Sequence, residues 1–252
     1  LNCKPTENPM AKRYERSENN EKRNDYPIRQ AIGCLMYIAN ATRPDLCFAV
    51  NNLSRYVNEP TKTLWHAIQR VIKYLNTTAE LGLICKKSSF NIRGWSDSDF
   101  ANDTADRKST TGWIFKLGDN TISWKSKKQT TVSLSTTEAE YQAASDPTKE
   151  AIWLQNLLFE LGIIKRKVTP LYEDNQGAIF LQKNSTNKPR TKHIDIRYHF
   201  IREHVDQDWI TIHYCPTAAS IAARLTKQPP DATVRRNHES IKTETQTRTN
   251  AP

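Results

Sequence analysis

Apolar residues are scarce in this chain: they make up 37% of 252 residues, so some segments are expected to pack poorly. No apolar run approaches the roughly 18 residues of a membrane-spanning helix, which argues against a membrane span. The five cysteines (Cys3, Cys34, Cys47, Cys85 and Cys215) show no CxxC and no histidine at zinc-ligand spacing. An odd, unpatterned set predicts reduced thiols of an intracellular protein, most of them core filler. The opening run LNCKPTENPM is too polar for a signal peptide, and a chain that begins on Leu is expected to be a piece of something longer. What is abundant is positive charge. The net charge is +10 with a pI near 9.4, which favours polyanionic partners such as nucleic acid, although solubility alone also accounts for it.

Residues 1–25 are polar and charged and read as a flexible entry segment. From Pro27, placed at a first helical position, Ile28, Ile32, Leu35 and Met36 recur at helical spacing. Asp45 is the expected cap of a second helix carrying Leu46, Ala49, Val50, Leu53 and Val57, and Thr61 that of a third ending near Thr77. This part has no glycine-rich phosphate loop and no adjacent acidic pair, hence no visible chemistry of its own.

Near residue 82 the period drops to two, with LGLICKK and FNIRGWSDSDF reading as strands. On the second, Trp95, Asp97 and Asp99 share one face, and Ile92, Gly94 and Ser96 the other. TGWIFKL and TISWKSKK flank the hairpin signal Gly118-Asp119-Asn120. A long helical stretch follows, with Ser135 and Glu138 as a capping box and Pro147 predicting a kink or two abutting helices. Then come a strand (VTPLYED), a helix (NQGAIFLQKN), the basic loop NKPRTK, a helix (HIDIRYHFIREHV), a strand (WITIHYC) and a last helix from Thr217 to about Lys227. The tail from Gln228 is polar and aperiodic. Strands first, then alternating helices and strands, predict a mixed sheet with packed helices, an α/β class.

Three acids stand where the local pattern changes: Asp97 on a central strand, Glu140 in the first turn of a helix, and Asp174 at the end of another strand. Magnesium takes oxygen ligands in octahedral geometry, and carboxylates from separate elements can surround paired cations that neighbours on one strand cannot. The trio therefore points to phosphodiester chemistry. The competing explanation for each acid alone is a solvated surface carboxylate, or, for Glu140, a partner of the helix dipole.

The runs YPIRQAIGCLMYIANATRPDLCFAVNNLSRY, GWSDSDFANDTADRKSTTGWIF, SWKSKKQTTVSLSTTEAEY, EAIWLQNLL, EDNQGAI and RTKHIDIRYHFIRE cover about four-fifths of the chain. In them it resembles the C-terminal portion of copia-type retrotransposon Pol polyproteins. The resemblance implies a thumb- or connection-like helical end of a reverse transcriptase over 26–88 and a ribonuclease H-like domain over 89–228; the polar tail, read as disordered over 229–252, departs from the family, as does Pro147. The implied fold is a mixed five-stranded sheet with flanking helices, preceded by a small helical subdomain. The polymerase's paired-Asp motif is not in this sequence, so this segment is not expected to polymerise. Asp97 of WSDSD, Glu140 (the second Glu of TEAEY) and Asp174 of EDNQ match the family's catalytic, metal-binding acids, leaving Glu138 as the capping partner. The implied cofactor is Mg²⁺ or Mn²⁺, two ions if the site is intact. Family members usually end with an LADILTK-like run whose Asp is a fourth ligand. Here the run is IAARLTK, with Ala223 at that position and Arg224 beside it. A methyl cannot coordinate a cation, and a guanidinium disfavours one.

Lys125, Lys127 and Lys128 follow Trp124, and Lys188, Arg190 and Lys192 precede His193. Basic side chains beside an aromatic suit a phosphate-tracking groove, whereas lysines on a hairpin edge also guard against aggregation. His193, His199 and His213 carry no assigned role. The expected function is two-metal hydrolysis of the RNA strand of RNA–DNA hybrids, impaired by Ala223. The alternatives are a catalytically inactive nucleic-acid-binding remnant and a transposon relic without a selected role. The resemblance further implies an upstream reverse transcriptase in a parent polyprotein, no membrane partner, and an intracellular setting in a cytoplasmic particle or the nucleus.

Overall fold

A computed structural model of the chain describes residues 6–15, 25–101, 103, 106–133, 136–174, 192–227 and 243–245. The chain divides into two compact units, one comprising 1–84 with 227–252 and the other Cys85–Thr226.

In the first unit, helix α1 (Ile28–Ala41) buries Ile28, Ile32, Leu35 and Ala39, while Met36 is exposed. Pro27 precedes the helix rather than opening it, and its carbonyl accepts from the Ala31 N–H at 3.0 Å. The expected cap by Asp45 is not made. Pro44–Leu46 forms a 3-10 turn into α2 (Cys47–Ser54), and the Asp45 carboxylate instead accepts from Arg43 at 2.8 and 2.9 Å and from the Tyr74 hydroxyl at 2.8 Å. A buried guanidinium is costly without a paired carboxylate, and that demand outweighs one helix cap. Thr61 does cap α3 (Lys62–Thr77), its hydroxyl accepting from the Leu64 N–H at 3.1 Å. This helix buries Leu64, Ile68, Val71 and Tyr74. The strand expected from LGLICKK shortens to β1 (Leu81–Leu83), which pairs antiparallel with β7 (Thr243–Thr245). A strand thus stands where the sequence predicts a disordered tail.

In Cys85–Thr226 the described strands are β2 (Ile92–Asp99), β3 (Thr110–Leu117), β4 (Asn120–Lys128), β5 (Thr169–Glu173) and β6 (Ile210–Tyr214). Their order is β4-β3-β2-β5-β6: the first three are antiparallel, and β5 and β6 run parallel to β2. This mixed five-stranded sheet with flanking helices is the ribonuclease H-like arrangement. Gly118 makes the tight turn of the β3–β4 hairpin at a positive φ of 59°. One face of the sheet contributes Ile92, Trp113, Phe115, Leu171, Ile210 and Ile212 to a core closed by α4 (Thr136–Glu160) and α5 (Lys192–Asp206) through Ala144, Ala151, Leu154, Leu158 and Ile201.

Two expectations are corrected here. Of the kink or two abutting helices expected at Pro147, the two helices are not found: α4 runs through Pro147 as one helix of 25 residues. An interior proline costs about 3 kcal/mol. Buried Ala139, Ala143 and Ala144 on one side and Ala151 and Leu154 on the other hold both halves in place, while the Thr148 hydroxyl donates to the Ala144 carbonyl at 2.8 Å. The last helix is also replaced, by two 3-10 turns, Thr217–Ala219 and Ala222–Arg224, separated by extended Ser220. The helix NQGAIFLQKN and the loop holding Lys188 and Arg190 lie outside the described residues, as does Ser135 of the capping box.

Candidate metal centre

Two of the three predicted acids lie at the same end of adjacent parallel strands. Trp95 of β2 pairs with Tyr172 of β5; Asp97 stands two residues beyond Trp95 on β2, and Asp174 two residues beyond Tyr172, directly after β5. Alternation along each strand puts Trp95 and Asp97, and Tyr172 and Asp174, on one face. The Trp95 and Tyr172 rings stack at 5.3 Å, and Tyr172 meets His213 at 5.6 Å. The neighbouring Glu173 belongs to the other face: it is fully buried and accepts from the Ser96 hydroxyl at 3.2 Å. Glu140 lies in the first turns of α4, and its side chain is outside the described residues. Glu138 is half-buried and accepts from Gln142 at 3.2 Å.

The segment after β6 straps both carboxylates. Thr217 donates its hydroxyl to Asp174 Oδ2 at 2.5 Å, and Thr226 donates to Asp97 Oδ2. The Thr226 hydroxyl also lies 3.0 Å from the carbonyl oxygen of Ala223, so the position of the absent fourth acid is tied to Asp97 through one side chain. Gly112, the β3 partner of Asp97, makes this seat possible. A Cβ there would fall 2.7 Å from Leu225 Cβ and 2.8 Å from Thr226 Cγ2. Asp97, Ala223 and Thr226 are buried, at 1%, 8% and 0% exposure. Burial pushes Arg224 down to about 10, so it still carries its charge at neutral pH. Burial first, and then the charge of Asp174, push the Cys215 thiol up, which keeps it protonated and a poor cation ligand.

Carboxylate oxygens are the hard donors that magnesium takes, so Asp97 and Asp174 suit it chemically, each with one oxygen already engaged by a hydroxyl. Among the described residues no group of three or more His, Cys, Asp or Glu side chains is gathered closely enough to hold a metal ion. The side chain of Glu140 lies outside those residues. A cavity of about 510 Å³ lined by Phe90, Ile92, Ile164 and Thr169 lies at the opposite ends of β2 and β5 from the two acids.

Two of the predicted phosphate-binding lysines already have anionic partners. Lys127 pairs with Asp146 at 2.8 Å, and Lys128 with Asp103 at 2.6 Å and Asp106 at 2.8 Å. Lys125 is exposed and forms no ion pair among the described residues. Arg190 and the side chain of Lys192 lie outside the described residues. His213 contacts the Thr211 hydroxyl at 3.0 Å. Sequence reasoning passed over Thr217, Thr226 and Gln129, the last of which is buried beside the site. Their only signal was polarity in short irregular segments.

No family model matches the chain. It is 41% identical over 237 residues, 91% of its length, to the retrovirus-related Pol polyprotein from transposon TNT 1-94 of Nicotiana tabacum. It is 40% identical over 230 residues to that from transposon RE2 of Arabidopsis thaliana. Over nine-tenths of its length the chain is thus similar to retrovirus-related Pol polyproteins of plant transposons. It spans only 18% and 16% of the length of these two relatives. Over 129 residues, half of the chain, it is also 46% identical to secreted RxLR effector protein 161 of Plasmopara viticola, covering 91% of that protein. Among solved structures, LC11-RNase H1 is similar at 13% identity, covering 54% of this chain and 93% of that one, with a TM-score of 0.42. A foamy viral protease-reverse transcriptase covers 75% of this chain and 24% of that one at 14% identity and a TM-score of 0.47. The fold assignment rests on strand order and register. Cys85–Thr226 carries the ribonuclease H-like sheet. Among the described residues no helix is long and apolar enough to cross a membrane.

Proposed function

We propose that this chain hydrolyses the RNA strand of RNA–DNA hybrids, with Asp97, Glu140 and Asp174 holding Mg²⁺ or Mn²⁺. The observation that supports this reading is that Asp97, on β2, and Asp174, directly after the adjacent parallel β5, each have a carboxylate oxygen held by a threonine hydroxyl from the segment after β6. Divalent ions, when bound, acidify a water and offset charge on the phosphate. Thr217 and Thr226 hold the two carboxylates in fixed orientations, which spares the site that ordering cost when substrate binds. In the reaction a water oxygen bonds to phosphorus in line with the P–O3′ bond. That bond breaks, the 3′ oxygen takes a proton, and the downstream RNA keeps the 5′ phosphate. Ala223 supplies no fourth carboxylate, so a second ion is held weakly and the cation requirement is high. Hybrid recognition rests on shape and 2′-hydroxyls, with Lys125 available to a phosphate. The upstream reverse transcriptase is the natural partner on this reading, and a cytoplasmic particle or the nucleus the setting.

A labelled RNA–DNA hybrid incubated with the chain and Mg²⁺ or Mn²⁺ tests this. Wild type should cleave the RNA strand, and both Asp97→Asn and Asp174→Asn should not. The methyl at Ala223 favours one other reading, a nucleic-acid-binding remnant. Salt-dependent hybrid binding without turnover at any cation concentration would select it.

A further inference from the structure

The side chain of Gln129, just past the end of β4, is a buried junction at 7% exposure. Its Nε2 donates to the Ala139 carbonyl of α4 at 2.8 Å and to the Thr111 hydroxyl of β3 at 3.0 Å, with a longer contact to the Ser98 hydroxyl of β2 at 3.4 Å. Its Oε1 accepts from the Ser133 hydroxyl at 3.1 Å, and its backbone N–H donates to the Ser109 carbonyl at 2.8 Å. These partners adjoin the candidate metal centre. Ser98 follows Asp97, Thr111 precedes Gly112 (the strand partner of Asp97), and Ala139 precedes Glu140.

We propose that Gln129 is a positioning residue that fixes the helix bearing Glu140 against the strand bearing Asp97, and so sets the spacing of the cation ligands. The inference rests on the metal-dependent reading above. A carboxamide suits the task because it offers two donors and an acceptor in one plane, and here both ends are used. No other side chain of 129–133 bridges β2, β3 and α4 among the described residues. A buried network with its members satisfied is rigid, and losing one member leaves the others unpaired in a low dielectric. Two strands and a helix meet at one amide, so its loss moves the ligands relative to one another.

The test measures Mn²⁺ binding to the full chain, from the loss of the free-ion EPR signal, beside urea unfolding and hybrid affinity in EDTA. Gln129→Met fills the same space without the hydrogen bonds. It should weaken Mn²⁺ binding about tenfold, the usual scale for groups that orient metal ligands, and leave metal-free hybrid affinity within about twofold. Ser133→Ala removes one hydrogen bond only, and should shift Mn²⁺ affinity in the same direction by about two- to threefold. It decides the matter if the Met variant does not fold. Wild-type Mn²⁺ affinity in both variants, with affinity lost in Asp97→Asn, would overturn the positioning role while leaving the metal centre standing. Affinity unchanged in Asp97→Asn as well would overturn the metal centre, and the role of Gln129 with it.

Discussion

Gly112→Ala tests the seat of the C-terminal strap, because the added methyl has nowhere to go. The new Cβ would lie 2.7 Å from Leu225 Cβ, 2.8 Å from Thr226 Cγ2 and 3.1 Å from the Ala222 carbonyl oxygen. The closest approach is thus about 0.7 Å short of ordinary contact, which begins near 3.4 Å. Leu225 and Thr226 are fully buried and cannot swing into solvent. Overpacking of this kind costs about 1–3 kcal/mol. With a urea slope near 2 kcal/mol/M, the unfolding midpoint should fall by about 0.5–1.5 M. Tryptophan fluorescence reports the right unit, because of the six tryptophans only Trp65 lies outside Cys85–Thr226. The same substitution drags Thr226 from Asp97, so cation affinity should drop along with stability. Gly33→Ala in α1 is the control: nothing lies within 4 Å of its added methyl and it belongs to the other unit, so the same fluorescence midpoint should not fall. An unchanged or raised midpoint for Gly112→Ala would refute the packing of Ala222–Thr226 on β3.

Further tests address the basic hairpin edge and the acid limb of stability. Burial alone would raise Asp146, but the hydrogen bond and charge of Lys127, with the charges of Lys149 and Arg197, outweigh it and hold the carboxyl below its ordinary value. A depressed folded pKa gives stability that is present above the unfolded value and lost as pH falls through the folded one. Lys127→Met should therefore flatten the loss of stability below about pH 4 in an acid titration of the urea midpoint, and an unaltered acid limb would contradict the pairing. Lys125→Ala should reduce the salt slope of hybrid binding by about one, whereas Lys127→Ala, whose charge Asp146 already offsets, should change it less. Equal losses from the two would show that the ion pair yields to phosphate.

The sequence made the helical stripes readable because their burial is local: Ile28, Ile32 and Leu35, and Leu64, Ile68 and Val71, face one way at helical spacing. The Thr61 cap and the Gly118 turn were equally legible, each depending on one residue and its near neighbours. Asp97 and Asp174 could be singled out from their motifs, but the parallel pairing of β2 with β5, which sets them at the same end of the sheet, is encoded by no local pattern. Pro147 does not split its helix, because its local penalty is offset by burial on the sheet, a tertiary effect. Asp45 gave up its cap to a buried Arg43 two residues away and a Tyr74 in another helix. The strap after β6 looked helical because Ala222, Ala223 and Leu225 are good helix formers. Contact with Gly112 sets its shape instead.

The most direct test is the rate of RNA-strand cleavage in a hybrid as a function of Mg²⁺ concentration, for wild type and Ala223→Asp. If Asp97, Glu140 and Asp174 form a working centre short of one ligand, both proteins cleave, and the variant reaches half its maximal rate at about tenfold lower Mg²⁺. No cleavage by either protein at any Mg²⁺ or Mn²⁺ concentration, or cleavage that survives Asp97→Asn, would contradict the account.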